Sequence, residues 1–511
     1  MPIYGLSKPA ITLVAALSPS IVVADLVELR SPDGFISIDG EITSMDATMI
    51  TVRTSVGEVR VPKSEVSCFG ASCPSELVAD AGAEDVKIAT LTPEHAAVVQ
   101  NVLSLSAPSS SRSARRQDTP LLLSDEGSGN QAKISFVSAA ADSTINLIDR
   151  ANAHASETET IAARDWVSAT DLPSQLFGVK ALSVVVSPVA GVNSITVPQL
   201  AQIFAGELKD WSELGGNAVG ITPIQTAAGS ALTEAVMTAI LAPYGKKVTG
   251  DIFTMGDAEA IMRALKAIPG GVGIVPATPD TAARSIAIAD SCGVTTFPSE
   301  FSIKSGTYPL TLSTIAEYAT PVDSPLIHAA FDAATGPDTQ GTIAEAGYLD
   351  TSLIALPADA KNKRISGIMN ARHTEGERQK AGELVQMMLE AEQLSVSFMA
   401  GDLDTISGAW SRAHFVHLAE AARTGALDGK DVIFVGYADD GNSAESRIAA
   451  SQAAAEDILA AFQAFAPDAA NRADIAFSAS GHGAVRDVGC FHGGDAVSRG
   501  TKIEVWTRLR R

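Results

Sequence analysis

The sequence predicts a multidomain α/β protein, and three features lead there. Its 511 residues are too many for one hydrophobic core, so two to four domains are expected. Between Leu26 and Pro74 short alternating segments follow one another: Gly34–Asp39, Gly40–Met45, Met49–Thr54 and Gly57–Pro62 read as strands of a small barrel or sandwich. From Asp85 onward the pattern changes to apolar runs of strand length separated by helix starts. The clearest case is Leu182–Gly216. Leu182–Val186 is an unbroken apolar run rich in β-branched residues, suited to a strand buried on both faces, and Pro188 stops it. Thr196-Val197-Pro198-Gln199 then starts a helix, with a hydroxyl at the cap, Pro in the first turn and a Gln placed to reach back; Gly206 ends it.

Charged residues make up 19% and aromatics 5%, an ordinary globular composition. The net charge of −22 excludes nucleic acid, whose phosphates demand a basic face, and a polybasic hold on anionic lipid. At the N-terminus, Lys8 precedes a mostly apolar stretch, Ile11–Ala24, that is shorter than a membrane span and carries Pro19. Val22-Val23-Ala24 supplies small residues ahead of Asp25, so residues 1–24 are expected to be a cleaved export signal. No cysteine follows that cut, so no lipid anchor is expected, and the mature chain is expected to be soluble in the periplasm. Cysteine usage fits such a compartment: Cys68 and Cys73 enclose Phe69-Gly70-Ala71-Ser72, a small disulfide loop, and no further metal ligands stand nearby. Cys292 and Cys490 either pair, tying two domains together, or stay as free buried thiols.

The strand, loop and capped helix, followed by Trp211-Ser212-Glu213-Leu214-Gly215-Gly216, resemble the phosphate-type periplasmic solute-binding proteins of ABC transporters. Pro269-Gly-Gly-Val-Gly-Ile-Val is similar to that family's buried return strand, Ser305–Leu310 to its second crossing, and Phe331–Asp350 to its last helix. The resemblance spans about 84–357. It implies a type II periplasmic-binding fold, two α/β lobes about a hinge, with a small oxyanion such as phosphate in the crevice and an ABC permease as partner. It implies no catalysis and no cofactor. Carried over residue by residue, its anion-cradling loop falls on Thr90 and Thr92, without the family's glycine. A serine–arginine pair before the crossover leaves Arg164, with Ala163 for the serine. The arginine followed by Ser-Gly-Thr at a helix start becomes Gln225 followed by Gly229-Ser230-Ala231. The fold signal survives while the charged donor is gone, and a dianion stripped of water without a cation is poorly held.

The closing part resembles the peptidoglycan-binding domain of the OmpA family, over about 375–511. Leu394–Met399, the helix around Ala413–Arg423, Asp431–Gly441, Ser451–Phe465 and Lys502–Trp506 make a β-α-β series with a final strand. That family sets an aspartate against the ammonium of a cell-wall diaminopimelate and an arginine against its carboxylate. Asp439 and Gly441 match the aspartate motif and Ser451 the serine, but Ala454 stands at the arginine position and Gly500-Thr501-Lys502 replaces Asn-Arg-Arg. Arg447 is the candidate to stand in from a neighbouring turn. The expected order is therefore signal 1–24, small β-rich domain 25–83, two-lobed solute-binding domain 84–357, linker or lead-in helix 358–382, and an OmpA-like βαβ sandwich 383–511.

His414, His417 and Glu420 share a helix face at turn spacing, which helical geometry alone produces, so no metal is expected. Neither a Gly-x-Ser-x-Gly elbow nor a phosphate-cradling Gly-x-x-x-x-Gly-Lys loop occurs, and His482 between glycines reads as a loop residue. No nucleophile, base and orienting acid assemble, so an enzyme is not expected. Two functions remain: an exported oxyanion receptor held at the cell wall or outer membrane through peptidoglycan, or an envelope interaction protein in which both sites have decayed.

Overall fold

The structure, a computed structural model, describes residues 27–30, 37–46, 48–54, 57–63, 66–69, 84–89, 99–100, 102–103, 121–124, 131–137, 145–151, 174–249, 252–289, 294–318, 327, 331, 336, 339–345, 347–371, 373–399, 409–438, 442–485 and 501–510. The signal read at 1–24 lies outside them. The chain divides into two compact units, Met1–Ala83 and Glu84–Arg511.

The first unit is an antiparallel sheet of β1 (Val27–Arg30), β2 (Ser37–Met45), β3 (Met49–Thr54), β4 (Gly57–Pro62) and β5 (Ser67–Phe69), in the order β4-β3-β2-β1-β5. Val27, Leu29, Ile50, Val52 and Cys68 form its core. One expectation is corrected. Gly40 does not separate two strands; it sits inside β2 opposite Val27, and a Cβ there would overlap the Arg53 carbonyl. Close backbone approach, not a turn, demands that glycine. The real irregularity of β2 is a register shift between Ile42 and Ser44. Cys68 is buried and disulfide-bonded; Cys73, Cys292 and Cys490 lie outside the described residues.

The second unit opens with β6 (Glu84–Ala89), β7 (Leu121–Ser124), β8 (Gln131–Val137) and β9 (Ile145–Ala151). These lead into β10 (Ser174–Val186), a strand of 13 residues. β10 organises everything near it. Its first part, Ser174–Ala181, pairs with β17 (Thr311–Tyr318), whereas Leu182–Val186 pairs with β14 (Gly271–Pro276). The nine-stranded sheet β13-β12-β14-β10-β17-β9-β6-β8-β7 thus consists of two half-sheets that meet where β10 passes from one to the other. β12 (Thr222–Thr226) and β13 (Phe253–Met255) complete the second half.

Along the second half the expected local signals are all present. β11 (Ser194–Ile195) precedes α1 (Val197–Phe204), which has a full capping box: the Thr196 hydroxyl accepts from the Gln199 N–H at 3.3 Å and Gln199 Oε1 accepts from the Thr196 N–H at 2.9 Å. Gly206 has φ +73°, the left-handed conformation that ends a helix. Trp211 is fully buried and donates its indole N–H to the Gly270 carbonyl at 2.8 Å, satisfying the one polar atom of the ring. α2 (Ala231–Val236), α3 (Ala258–Ala264), α4 (Pro279–Ala282), β15 (Ala287–Ala289), β16 (Thr295–Thr296) and α5 (Glu300–Lys304) follow, then β17 and α6 (Gln340–Glu345).

The stretch 358–382, read as linker or lead-in helix, is helical and built in. α7 (Ala358–Asn370) and α8 (Glu375–Glu390) bring Ile365, Ile368, Ala381, Leu384 and Met388 onto one face of a second sheet, against Ile433, Val435, Tyr437 and Trp506. That sheet holds β18 (Glu392–Met399), β19 (Lys430–Ala438), β20 (Ala476–Gly481) and β21 (Thr501–Leu509) in the order β18-β21-β19-β20. α9 (Ala409–Arg423) and α10 (Ala444–Phe465) cover its other face through Phe415, Leu418, Ile458 and Phe462, with α11 (Pro467–Ala470) beside them. Coverage on both faces explains why β19 reads as a continuous apolar run. Gly436 and Gly481 let α10 approach: a Cβ at either would overlap backbone atoms of Ser451 or Gln452. This sheet and the nine-stranded one lie in the same compact unit, residues 84–511.

Candidate functional site

A crevice between half-sheets is where a ligand would lie in an α/β fold of this kind. Two lengths of chain join the halves: β10 at Ala181–Leu182, and the return through Lys304–Thr311. They are stitched together by Tyr308, whose fully buried phenol donates to the Leu182 carbonyl at 2.7 Å, and by the Leu182 N–H donating to the Leu310 carbonyl at 2.9 Å. Burial pushes the Tyr308 phenol above its ordinary pKa, so it stays a donor. Leu349 bridges Val179, and Lys180 lies 4.0 Å from the centre of the Tyr348 ring.

Of the residues expected to hold an oxyanion, Thr90, Thr92 and Arg164 lie outside the described residues. Gly229, Ser230 and Ala231 do fall at the start of α2. Gly229 has φ +77° and open space where a Cβ would be. Ser230 caps the helix by accepting from the Thr233 N–H at 3.2 Å. Its hydroxyl also lies 2.6 Å from Thr226 Oγ1, which lies 3.0 Å from Thr233 Oγ1, which donates to the Thr226 carbonyl. With one proton per hydroxyl, one arrangement makes all three bonds: Ser230 donates to Thr226, Thr226 to Thr233 and Thr233 to the Thr226 carbonyl. Turning the Thr226 proton to Ser230 would leave the Ser230 O–H for a ligand at the expense of the Thr226–Thr233 bond. Gln225 is not brought to this cluster. Successive side chains of a strand face opposite ways, and Thr226 is the one that meets α2. Gln225 Oε1 is enclosed and without a hydrogen bond.

At the other candidate site, Asp439 lies outside the described residues. Arg447 is on the first turn of α10, and its Nε and Nη2 lie 2.8 and 2.7 Å from Glu377 Oε1 on α8. Burial works against the Glu377 charge, but the Thr374 hydroxyl and Arg447 outweigh it and hold the carboxyl below the usual range. Ala454, at the position where the resemblance expects an arginine, is half-buried against the edge of the core under α10.

The helix bearing His414, His417 and Glu420 has a different purpose. His417 Nε2 is 2.6 Å from Thr351 Oγ1; His414 places Nδ1 2.9 Å from the Ser397 carbonyl and Nε2 3.3 Å from the Lys304 carbonyl. Both rings are buried, and no cluster of three or more potential metal ligands occurs among the described residues. His482 is buried too, with Nδ1 3.0 Å from the Lys380 carbonyl. A groove of about 440 Å³ lies between α3 and α4, lined by Arg263, Lys266 and Arg284 among others. It coincides with none of the expected site residues. Arg263 and Arg284 are each paired with an acid one turn away, Glu259 and Asp280. No described helix is long and apolar enough to cross a membrane.

Residues 125–350 match the model of a family described as a PBP superfamily domain. Among solved structures, an ABC-type phosphate transport receptor from Vibrio cholerae is similar at 15% identity and TM-score 0.37, covering 52% of this chain and 99% of its own. PstS from Borrelia burgdorferi is similar at 15% identity and TM-score 0.39, with 52% and 98% covered. A phosphate-binding protein from Stenotrophomonas maltophilia is similar at 12% identity and TM-score 0.27, with 53% and 91% covered.

Proposed function

We propose that the protein is an exported solute-binding receptor of ABC-transporter type that takes a small oxyanion such as phosphate between its half-sheets, and that its C-terminal sheet is an OmpA-like module holding it to peptidoglycan in the cell envelope. The observation that carries the first part is the passage of β10 between two half-sheets within the stretch that matches the PBP superfamily domain. The binding residues in this reading are Gly229, Ser230 and Ala231 at the start of α2, together with Thr90, Thr92 and Arg164. The second part is supported by topology: strands and helices in the order β18-α9-β19-α10-α11-β20-β21, with β21 inserted between β18 and β19 and β20 parallel to β19. Asp439 would meet an ammonium group at the end of β19. Pairing of Cys68 with Cys73 belongs to the same reading, as do domain limits near 84, 357 and 383.

Isothermal titration of the mature protein with inorganic phosphate tests the receptor. Heat saturating at or below millimolar phosphate, reduced in Ser230→Ala, is the expected result. Absence of heat at millimolar phosphate overturns it. Co-sedimentation with isolated peptidoglycan, wild type against Asp439→Ala, tests the module; equal retention removes Asp439 from the site. A second reading, an envelope interaction protein with both sites decayed, is favoured by the pairing of Arg447 with Glu377 and by Gln225 in place of a cation. It predicts failure of both experiments.

A further inference from the structure

We propose that α9 and β18 act as a brake on movement between the half-sheets, so that the cleft's conformation answers to the C-terminal sheet; this rests on the solute-binding reading above. Any change of angle between the halves must be absorbed where they are joined, at Ala181–Leu182 and along Lys304–Thr311. The second of these is gripped from outside. Trp410 on α9 donates its indole N–H to Ser313 Oγ at 2.8 Å, on the β17 side of the connection. His414, one turn later, lies 3.3 Å from the Lys304 carbonyl, on the α5 side. Between them Ser397 on β18 donates to the Ser305 carbonyl at 2.5 Å. One rigid helix and one strand therefore hold both ends of a short connection, whose turn at Gly306 has φ +68° and faces the Trp410 ring.

The grip is not a surface contact. Ala413 belongs to the core that contains Val184, Leu200 and Trp211, and α9 packs along β10 itself, the first connection. The chain that leaves the lobes is fastened at the same place. Lys304, 3% exposed, is paired with Asp350 at 2.8 Å and Glu300 at 3.0 Å, and Thr351 meets His417 on α9. Leu356 and Ser395 then tie this exit segment along β18. A movement of the halves that left α9 in place would break the Trp410, His414 and Ser397 contacts together. One that carried α9 along would drag the sheet behind it.

The test is hydrogen exchange on the full mature chain without ligand, comparing wild type with Trp410→Phe, which keeps an aromatic ring but loses the N–H and some volume, and with Trp410→Ala. Exchange at 304–311 and at Leu182 should quicken about fivefold in the first and more than tenfold in the second, as expected when one and then several contacts to a local opening unit are removed. The strand cores at 272–275 and 432–435 should keep wild-type rates. Unchanged exchange at 304–311 while 409–416 quickens would overturn the brake, and so would equal acceleration throughout, which would make the contact a staple of global stability. Titration with inorganic phosphate separates the two claims. Severalfold tighter binding by Trp410→Phe supports both. No binding by either protein removes the receptor and leaves the exchange result to decide the brake.

Discussion

The cores of the two sheets of the second unit differ in the polar atoms they bury. Around β10 and α1 the two largest buried polar side chains are neutral and meet backbone partners, the Trp211 indole with Gly270 and the Tyr308 phenol with Leu182. One buried cation, Lys304, is paired to Asp350 and Glu300 at the return connection. The C-terminal sheet buries a cluster of charges. Glu504, 1% exposed, takes Arg364 Nη2 at 2.8 Å and Lys502 Nζ at 3.0 Å, with the Tyr437 hydroxyl donating to it at 3.2 Å. Burial opposes ionisation of Glu504, but Arg364 and Lys502 outweigh it and hold the carboxyl at about 2. Burial likewise pulls Lys502 below its ordinary value against the pull of Glu504. A neutral buried pair contributes little net free energy and little risk, whereas a buried ion cluster is costly to break because each partner left behind has no water to turn to. The core around Trp211 and Tyr308 rests on packing, whereas the C-terminal sheet adds a charged cluster around Glu504 to its packing.

The largest expected effect follows from that contrast. Glu504→Gln leaves two buried cations without their carboxylate and should lower stability by about 3–5 kcal/mol in denaturant unfolding followed by far-UV circular dichroism. The triple change Arg364→Met, Lys502→Met, Glu504→Leu should recover most of it. A loss under about 1 kcal/mol for the single variant, the size of an ordinary neutral contact, would erase the difference between the sheets.

Acid should act next, where the two sheets of the second unit meet. Burial pushes the His417 imidazole down to about 4 from 6.5, with His414 and Lys304 acting the same way and Asp350 opposing them. The unfolded chain then binds more protons in that interval, so stability conferred by neutral His417 is complete above pH 6.5 and is lost as pH falls toward 4. The full loss is at most about 3–4 kcal/mol for a shift of this size. Burial lowers His482 in the same direction, so the assignment requires His417→Gln, which should flatten a plot of stability against pH between 6.5 and 4. An unchanged slope in that variant would move the effect elsewhere. Trp211→Phe, removing an indole N–H and some volume from the neutral core, should cost about 2 kcal/mol, independent of pH in that window.

What sequence alone conveyed follows the same division. The capping box at Thr196, the glycine after α1 and the strand at Leu182–Val186 are local, each readable within a few residues. The strand at β10 was legible only in its second part, because Ser174–Lys180 mixes polar residues and Gly178 into a segment whose burial depends on Tyr348, far along the chain. Residues 358–382 look like linker because their outer face is charged; the apolar positions at Ile365, Ile368 and Leu384 acquire meaning only from a sheet formed later in the chain. Arg447 and Glu377, or Arg364 and Glu504, are paired across 70 and more residues, beyond any spacing rule. At the candidate oxyanion site the Gly229-Ser230-Ala231 turn was legible, whereas its hydroxyl ring with Thr226 and Thr233 was not.

The smallest expected effect is also the sharpest control on the comparison. α1 and α10 each begin with a capping box, Thr196 with Gln199 in the neutral region and Ser443 with Ser446 in the charged one. Both are local devices that satisfy the same free backbone N–H groups, so they should not register which sheet they serve. Thr196→Ala and Ser443→Ala are each expected to cost about 1 kcal/mol. Equal losses, set beside the large loss in Glu504→Gln, would place the whole difference between the regions in their buried side chains. A Ser443→Ala loss several times that of Thr196→Ala would instead mean that the start of α10 is coupled to the pair four residues on, where Arg447 meets Glu377, and that the ion network extends to the helix end.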